Sequence, residues 1–307
     1  MPSFSCTVEE TISSGLRLDR YVAEYLKILS RSQIKARNLE ARLNGKPVKV
    51  SHLLKGGECL ELSWAEAENL FLVPQDIPLD VIYEDKRVIV VNKAQGMVVH
   101  PGAGNRQGTL ANALLNRRLN VAGDDSRSFA ETSGQRPGIV HRLDKDTSGV
   151  MIAAWDDRAL AFLSAQFKAR KVRKSYAALV RGCPRQASGS IEKKIVRSRR
   201  ERKIFTVSEN EGRPSLTHYK VVRTWGHYSL LLLQPKTGRT HQIRVHLKYL
   251  GTPILGDPLY GQADSRYKRA TLMLHAKRLS LILPGQECST TFRTKLPERF
   301  RKIIRAL

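Results

Sequence analysis

Apolar positions recur at helical spacing in three places along the chain. In the first, Leu18, Val22, Tyr25, Leu26 and Leu29 form an apolar stripe, with Asp19, Arg20, Glu24 and Lys27 outside it. Ser30 or Ser32 can start a second helix carrying Ile34 and Leu43 inward and Arg31, Lys35, Arg37 and Arg42 outward. Asn44-Gly45 marks a turn, with short strands around Val48 and Leu60. Residues 63–78, with Pro74 and Pro78, read as a linker that Leu70-Phe71-Leu72-Val73 pins against a domain. Arg87 to Val91 and Val150 to Ala154 read as apolar strands, and Thr109 caps a helix running through Leu119. A helix over Asp157–Lys168 turns Leu160, Leu163 and Phe167 inward. Lys174–Val180, Thr217–Val222 and Ser229–Gln234 read as strands. Thr240 can cap a last helix in which Ile243, Leu247 and Leu250 face the core and His241, Arg244 and Lys248 share the other face. Residues 120–136 are polar and aperiodic, and a loop of that length is either functional or disordered.

Charge adds a partner to this picture. The 307 residues carry 53 Lys and Arg against 28 Asp and Glu, a formal charge of +25. Such an excess points to a polyanion, most commonly nucleic acid. It is uneven: Lys168–Lys203 holds fourteen basic residues against Glu192 and Glu201, a net +12. The four cysteines are scattered without a Cys-x-x-Cys pair, which argues against zinc and disulfides and suits a reducing cytoplasm. No apolar run reaches the ~18 residues of a membrane span, and no secretory signal is read at the N-terminus. His241 and His246, at i and i+5, do not share a helix face as metal ligands would. The glycines at 102, 104 and 108 form a plain turn, because no Gly-Lys-Ser/Thr follows.

The candidate chemistry lies in Gly138-Ile-Val-His141-Arg142-Leu-Asp144-Lys145-Asp146-Thr147-Ser148-Gly149. Asp144 has Arg142 two residues before it and Lys145 beside it. One cation about 4 Å away is worth roughly 4 kcal/mol at an effective dielectric near 20, which favours the charged carboxylate. An ionised Asp144 suits a nucleophile better than a proton donor. Equally, Asp144 can cap a turn and pair with Arg142 on the surface.

His141-Arg142-Leu143-Asp144 followed by Thr147-Ser148-Gly149 resembles the signature of the RluA/RluD pseudouridine synthases. Further segments resemble that family in order: Asn92-Lys93-Ala94-Gln95-Gly96 with His100-Pro101, Lys174–Val180, Arg239-Thr240-His241-Gln242-Ile243-Arg244, Gly256-Asp257-Pro258-Leu259-Tyr260-Gly261 and Leu274-His275-Ala276. Ala94 stands where the family usually has proline. Arg17–Arg20, Ser30–Lys35 and Leu43–Val48 resemble an S4 RNA-binding domain. The resemblance implies an α+β protein, with an S4-like RNA-binding domain and linker over 1–75 and a mixed, largely antiparallel catalytic domain over 76–307. It implies Asp144 as nucleophile, Arg244 as its partner and Tyr176 as the platform stacked on the target uracil. Without it, Tyr176 reads as a packed strand residue. Arg142, His141, Arg239 and Thr147 are implied in substrate binding, and Arg142 in filling the space a flipped base leaves. Arg17, Arg20, Arg31, Lys35, Arg42 and Lys46 are implied as S4-like RNA contacts. The Pro253–Gly261 and Leu274–Ala276 segments are expected to support the fold.

The expected reaction isomerises uridine in RNA, most readily large-subunit ribosomal RNA, without metal, cofactor or obligatory protein partner. The rivals are a non-catalytic RNA-binding or ribosome-assembly protein and a synthase acting on another ribosomal site or on transfer RNA. A glycosidase fits worse, because it needs a second, protonated carboxyl at a defined separation. A deaminase fits worse, because His-x-Glu with Pro-Cys-x-x-Cys is absent.

Overall fold

A computed structural model describes residues 1–12, 15–66, 72–102, 104–122, 138–201 and 203–307. Most of the polar stretch 120–136 lies outside the described residues, as does Phe71 with the residue before it. The chain divides into Met1–Leu70 and Phe71–Leu307, so the boundary falls slightly earlier than the expected 75/76.

The first unit is a four-stranded antiparallel sheet in the order β1-β4-β2-β3, formed by β1 (Ser3–Thr7), β2 (Glu40–Leu43), β3 (Lys46–Val48) and β4 (Cys59–Ser63). The turn joining β2 to β3 has positive φ at both Asn44 and Gly45, the backbone a tight hairpin needs. Helix α1 (Leu18–Arg20) runs into a π turn, Tyr21–Tyr25, and α2 (Arg31–Ala36) starts at Ser30 with a capping box to Gln33. Leu18, Val22, Leu29 and Ile34 pack with Leu43, Leu60 and Leu62 of the sheet.

Three expectations fail here. Tyr25 is 56% exposed rather than inward, because the π turn adds a residue per turn and rotates it off the apolar face. Leu43 lies on β2, not on the second helix. Asp19 is buried, accepting from Arg17 at 3.0 Å and Arg31 at 3.2 Å.

The second unit is built on a ten-stranded sheet: β5 (Val81–Glu84), β6 (Val88–Lys93), β7 (Ser148–Ala154), β8 (Arg173–Arg181), β9 (Ser188–Arg197), β10 (Phe205–Ser208), β11 (Arg213–Trp225), β12 (Tyr228–Pro235), β13 (Leu274–Ile282) and β14 (Ser289–Arg293). The order is β10-β9-β11-β12-β8-β13-β7-β6-β5, with β14 beside β13. Its pairings are antiparallel except β7 with β13. The expected mixed, largely antiparallel α+β architecture is what forms. Among the described residues, its helices are α3 (Leu110–Ala122), α4 (Asp157–Lys168), α5 (Gln242–Tyr249) and α6 (Glu298–Ala306).

Strand β7 is buried along its whole length, which explains its continuous apolar run. Val150, Ile152 and Ala154 pack with Leu163 of α4, while Met151 and Ala153 pack with Leu110 and Leu114 of α3. Thr109 and Asn112 cap α3 reciprocally, as Thr109 Oγ1 and its backbone N–H both donate to Asn112 Oδ1. The Asn112 amide also donates to Val73 O at 2.8 Å, fixing the incoming linker.

Candidate active site

The loop ahead of β7 is held by hydrogen bonds from Asp144 to Thr147. The Thr147 N–H donates to Asp144 O at 3.1 Å, closing a turn with the Asp144 side chain at its edge. Lys93, fully buried, donates from Nζ to the carbonyls of Ala94, Met97 and Lys145 at 2.9, 2.7 and 3.0 Å. Burial pushes its pKa down to about 8, against the pull of Asp146 and Asp144. Gln95 Nε2 donates to Asp146 O at 3.0 Å. Below the loop, Arg299 of α6 donates to Ser148 Oγ at 2.7 Å, and that hydroxyl also meets His275 Nδ1 at 2.8 Å. Gly149 has φ +121°, and a Cβ there would lie 2.2 Å from Ala276 O, so only glycine lets β7 approach β13.

Helix α5 brings the opposing cation. Its N-cap is His241, in the left-handed region at φ 54°, and not Thr240. Gln242 fastens this corner instead: its Oε1 accepts from Thr237 Oγ1 and the Arg239 N–H, and its Nε2 donates to Leu216 O and Thr217 Oγ1. Arg244, one turn on, donates from Nε and Nη2 to Asp257 Oδ2 and Oδ1 at 2.8 and 2.7 Å. Asp257 Oδ1 also accepts the N–H groups of Leu259 and Tyr260 at 2.9 and 3.1 Å. Arg244 Nη1 thereby faces Asp144 Oδ2 at 3.5 Å. Paired charge at Asp257 and Asp144 outweighs burial and holds the guanidinium above its ordinary pKa. The Tyr260 ring lies under Arg244, 5.0 Å from Cζ.

Asp144 keeps 25% of its side chain exposed and opens onto a cavity of about 470 Å³ lined also by Tyr176, Lys174, Arg239, His241 and Arg244. Tyr176 sits on β8, paired with Leu233 and Ala276. Burial and the neighbouring Asp144 charge push its phenol well up, so it holds its proton at neutral pH. Lys174 beside it is mostly buried, and desolvation lowers its pKa. His241 Nε2 stands 4.0 Å from Asp144 Oδ2, with Nδ1 2.8 Å from the Tyr260 hydroxyl.

The other anticipated residues divide. Arg142 lines the cavity and is exposed; no ion pair joins it to Asp144 among the described residues, where Arg244 takes that place. His141 and Thr147 also line the cavity, and His141 is fixed there: its Nε2 accepts the Ile152 N–H at 3.2 Å and its ring stacks on Phe167. Burial drops its pKa to about 3, so it stays neutral. Thr147 is buried with its hydroxyl unbonded, and Arg239 Nε donates to Pro214 O at 3.2 Å. In the first unit Arg17 and Arg31 bind Asp19, Arg20 binds Glu24 at 2.9 Å, and Lys35, Arg42 and Lys46 are exposed. Part of the basic region is also engaged, with Lys193 on Glu209 and Arg199 on Glu211. Sequence reasoning missed Asp257 and Tyr260, whose segment it assigned to the fold, and the roles of Lys93 and Lys174.

The site thus sets a carboxylate against a clamped guanidinium, beside a protonated tyrosine, in a cavity large enough for a ligand. Residues 87–249 match the RNA pseudouridylate synthase family, and the chain belongs to that family of RNA-modifying isomerases, which convert uridine to pseudouridine. It is 43% identical over 302 residues to the ribosomal large subunit pseudouridine synthase D of Borreliella burgdorferi, covering 96% of this chain and 89% of that one. To the protein of that name from Xanthomonas campestris pv. campestris it is 38% identical over 309 residues, covering 96% and 90%. Human RNA pseudouridylate synthase domain containing 4 matches in structure with TM-score 0.60 and 28% identity, over 73% of this chain and 91% of that one.

Proposed function

We propose that this enzyme isomerises uridines of large-subunit ribosomal RNA with Asp144 as the nucleophile. The observation carrying the assignment is Asp144 Oδ2 at 3.5 Å from an Arg244 that Asp257 holds, at the mouth of a cavity of ligand size. Asp144 attacks the target nucleotide, the N1–C1′ bond breaks, the uracil turns and C5 bonds to C1′, releasing Asp144 as C5 loses its proton and N1 gains one; Arg244 orients the carboxylate. Tyr176 is the platform for the uracil and holds its proton for delivery at that surface. Arg142, exposed at the rim, takes the place of the extruded base, and extrusion costs a few kcal/mol. Lys174, Arg239 and Arg170 line the cavity and supply positive charge for neighbouring phosphates. The ribosomal target follows the names of the relatives. The first unit acts as an S4-like RNA module through its exposed Lys35, Arg42 and Lys46. The four free cysteines fit a reducing cytoplasm.

The test is Asp144→Asn in the full chain. RNA binding is expected to persist, with log affinity falling about 0.7 per unit log salt for each single-strand phosphate neutralised. Pseudouridine mapping of ribosomal RNA is expected to show none formed; product at the normal rate rejects Asp144 as nucleophile.

A further inference from the structure

Tyr260 and His241 share a hydrogen bond, 2.8 Å from the hydroxyl to Nδ1, that bears on the imidazole tautomer. The Tyr260 oxygen already accepts the Phe205 N–H at 2.9 Å, and among the described residues the acceptor within reach of its own proton is His241 Nδ1. An imidazole that accepts at Nδ1 and is neutral carries its hydrogen on Nε2. Nε2 is the atom that faces Asp144 Oδ2, at 4.0 Å. Phe205 and Tyr260 both present edge-to-face contacts to the imidazole, with ring centroids 5.7 and 5.5 Å away, which fixes its plane. The backbone at His241 has φ 54°, sparsely used by residues with side chains, and this turn aims the ring at Asp144 rather than along the helix.

We infer that His241 is a positioning residue for Asp144: its Nε2–H, oriented by Tyr260, is a second donor to Oδ2 beside Arg244 and leaves Oδ1 toward the substrate. The inference rests on the reading of Asp144 as nucleophile. Arg244 at 3.5 Å is at the long limit of a hydrogen bond and His241 at 4.0 Å is well beyond it, and in the proposal both close on Oδ2 when substrate fills the cavity. Oδ1 has no hydrogen-bond partner among the described residues. Burial, with Arg244 and Arg142 nearby, disfavours the doubly protonated ring, against the pull of Asp144 and Asp257. A neutral donor directs the carboxylate without neutralising it. Tyr260 is shared: its ring supports Arg244, and its hydroxyl orients His241.

The test uses the full-length, ¹⁵N-histidine-labelled protein. The imidazole of His241, assigned by its loss in His241→Asn, is expected to show a protonated Nε2 and a bare Nδ1 at neutral pH. Tyr260→Phe is expected to erase that preference. Asn tolerates the left-handed backbone, so His241→Asn keeps the turn; its kcat is expected to fall about tenfold to a hundredfold, the scale of one hydrogen bond to a charged group, with KM within about twofold. A proton on Nδ1 in the wild type overturns the inference, as does a His241→Asn enzyme with normal kcat or with KM alone raised. An Asp144→Asn enzyme that forms pseudouridine at the normal rate fails the underlying assignment instead, and leaves the tautomer result standing.

Discussion

Asp257 holds Arg244 from behind, so that the one free edge of the guanidinium points at Asp144. Two short hydrogen bonds, 2.8 and 2.7 Å, use Nε and Nη2, and Nη1 is left over at 3.5 Å from the Asp144 carboxylate. The pair is buried, with side-chain exposures of 5% and 0%. Asp257→Asn therefore leaves a desolvated cation facing an amide. It is expected to cost about 3 kcal/mol or more in urea unfolding and to lower kcat at least as steeply as the stability loss at a permissive temperature. Unchanged kcat in the folded variant would show that Arg244 needs no such clamp.

Lys93 gives opposite pH responses in activity and stability. Its ammonium uses three donors on three carbonyls, one of them Lys145 O in the loop beside Asp144. With its pKa pushed down to about 8, it loses one donor as pH rises through that value, and kcat is expected to fall on an alkaline limb centred there. Its folded pKa lies below the unfolded value of 10.5, so the folded state binds fewer protons between about 8 and 10.5. The contribution of Lys93 to stability thus rises across that window. Lys93→Met is expected to reduce kcat at every pH and to lack the limb; a rate profile from pH 6 to 9.5 checks both.

Gly149→Ala tests the β7–β13 junction. The new Cβ would sit 2.2 Å from Ala276 O and 2.6 Å from Ala276 N, both backbone atoms, on a residue at φ +121°. Strand separation is the only relief. We expect loss of about 3 kcal/mol or more, read from thermal or urea unfolding, with activity falling in the folded fraction because the loop from Asp144 to Thr147 leads straight into this strand.

His246 predicts acid sensitivity below the physiological range. It is fully buried on the inner face of α5, bonded to Thr217 Oγ1 at 3.0 Å and Ser215 Oγ at 3.2 Å, and burial lowers its pKa to about 4. Because the folded pKa lies below the unfolded one, its stabilising contribution is complete above about pH 6.5 and is lost progressively as pH falls toward 4. His275, also lowered to about 4, adds to the same window. Replacing His246 by Gln is expected to remove about 1.4 kcal/mol per pH unit from the slope of unfolding free energy over that range, measured by urea titrations between pH 4.5 and 7.

Local signals were legible in the sequence where one element carried the whole pattern. Leu160, Leu163 and Phe167 recur on one helix face, and the observed α4 covers Asp157–Lys168 as predicted. Asn44-Gly45 forced its hairpin by backbone conformation alone. β1 escaped notice because Ser3–Thr7 is an exposed edge with almost no apolar alternation. Asp19 was assigned to solvent because its two arginine partners come from Arg17 and from Arg31 on another helix. At the site, Asp144 and Arg244 came from their motifs, but the cation beside Asp144 is the one 100 residues away rather than Arg142 two residues away. Asp257 stayed hidden for the same reason: thirteen residues and a turn separate it from Arg244, and only the folded corner makes them partners.

That separation has a consequence for synthesis. Asp144 leaves the ribosome well before Arg244, Asp257 and Tyr260 exist, so the growing chain carries a lone acidic side chain without the groups that aim it. The candidate site can assemble only when β12, α5 and the segment through Tyr260 have docked. Until then the chain lacks the groups proposed to orient Asp144, so completion of this one corner sets when the site can exist.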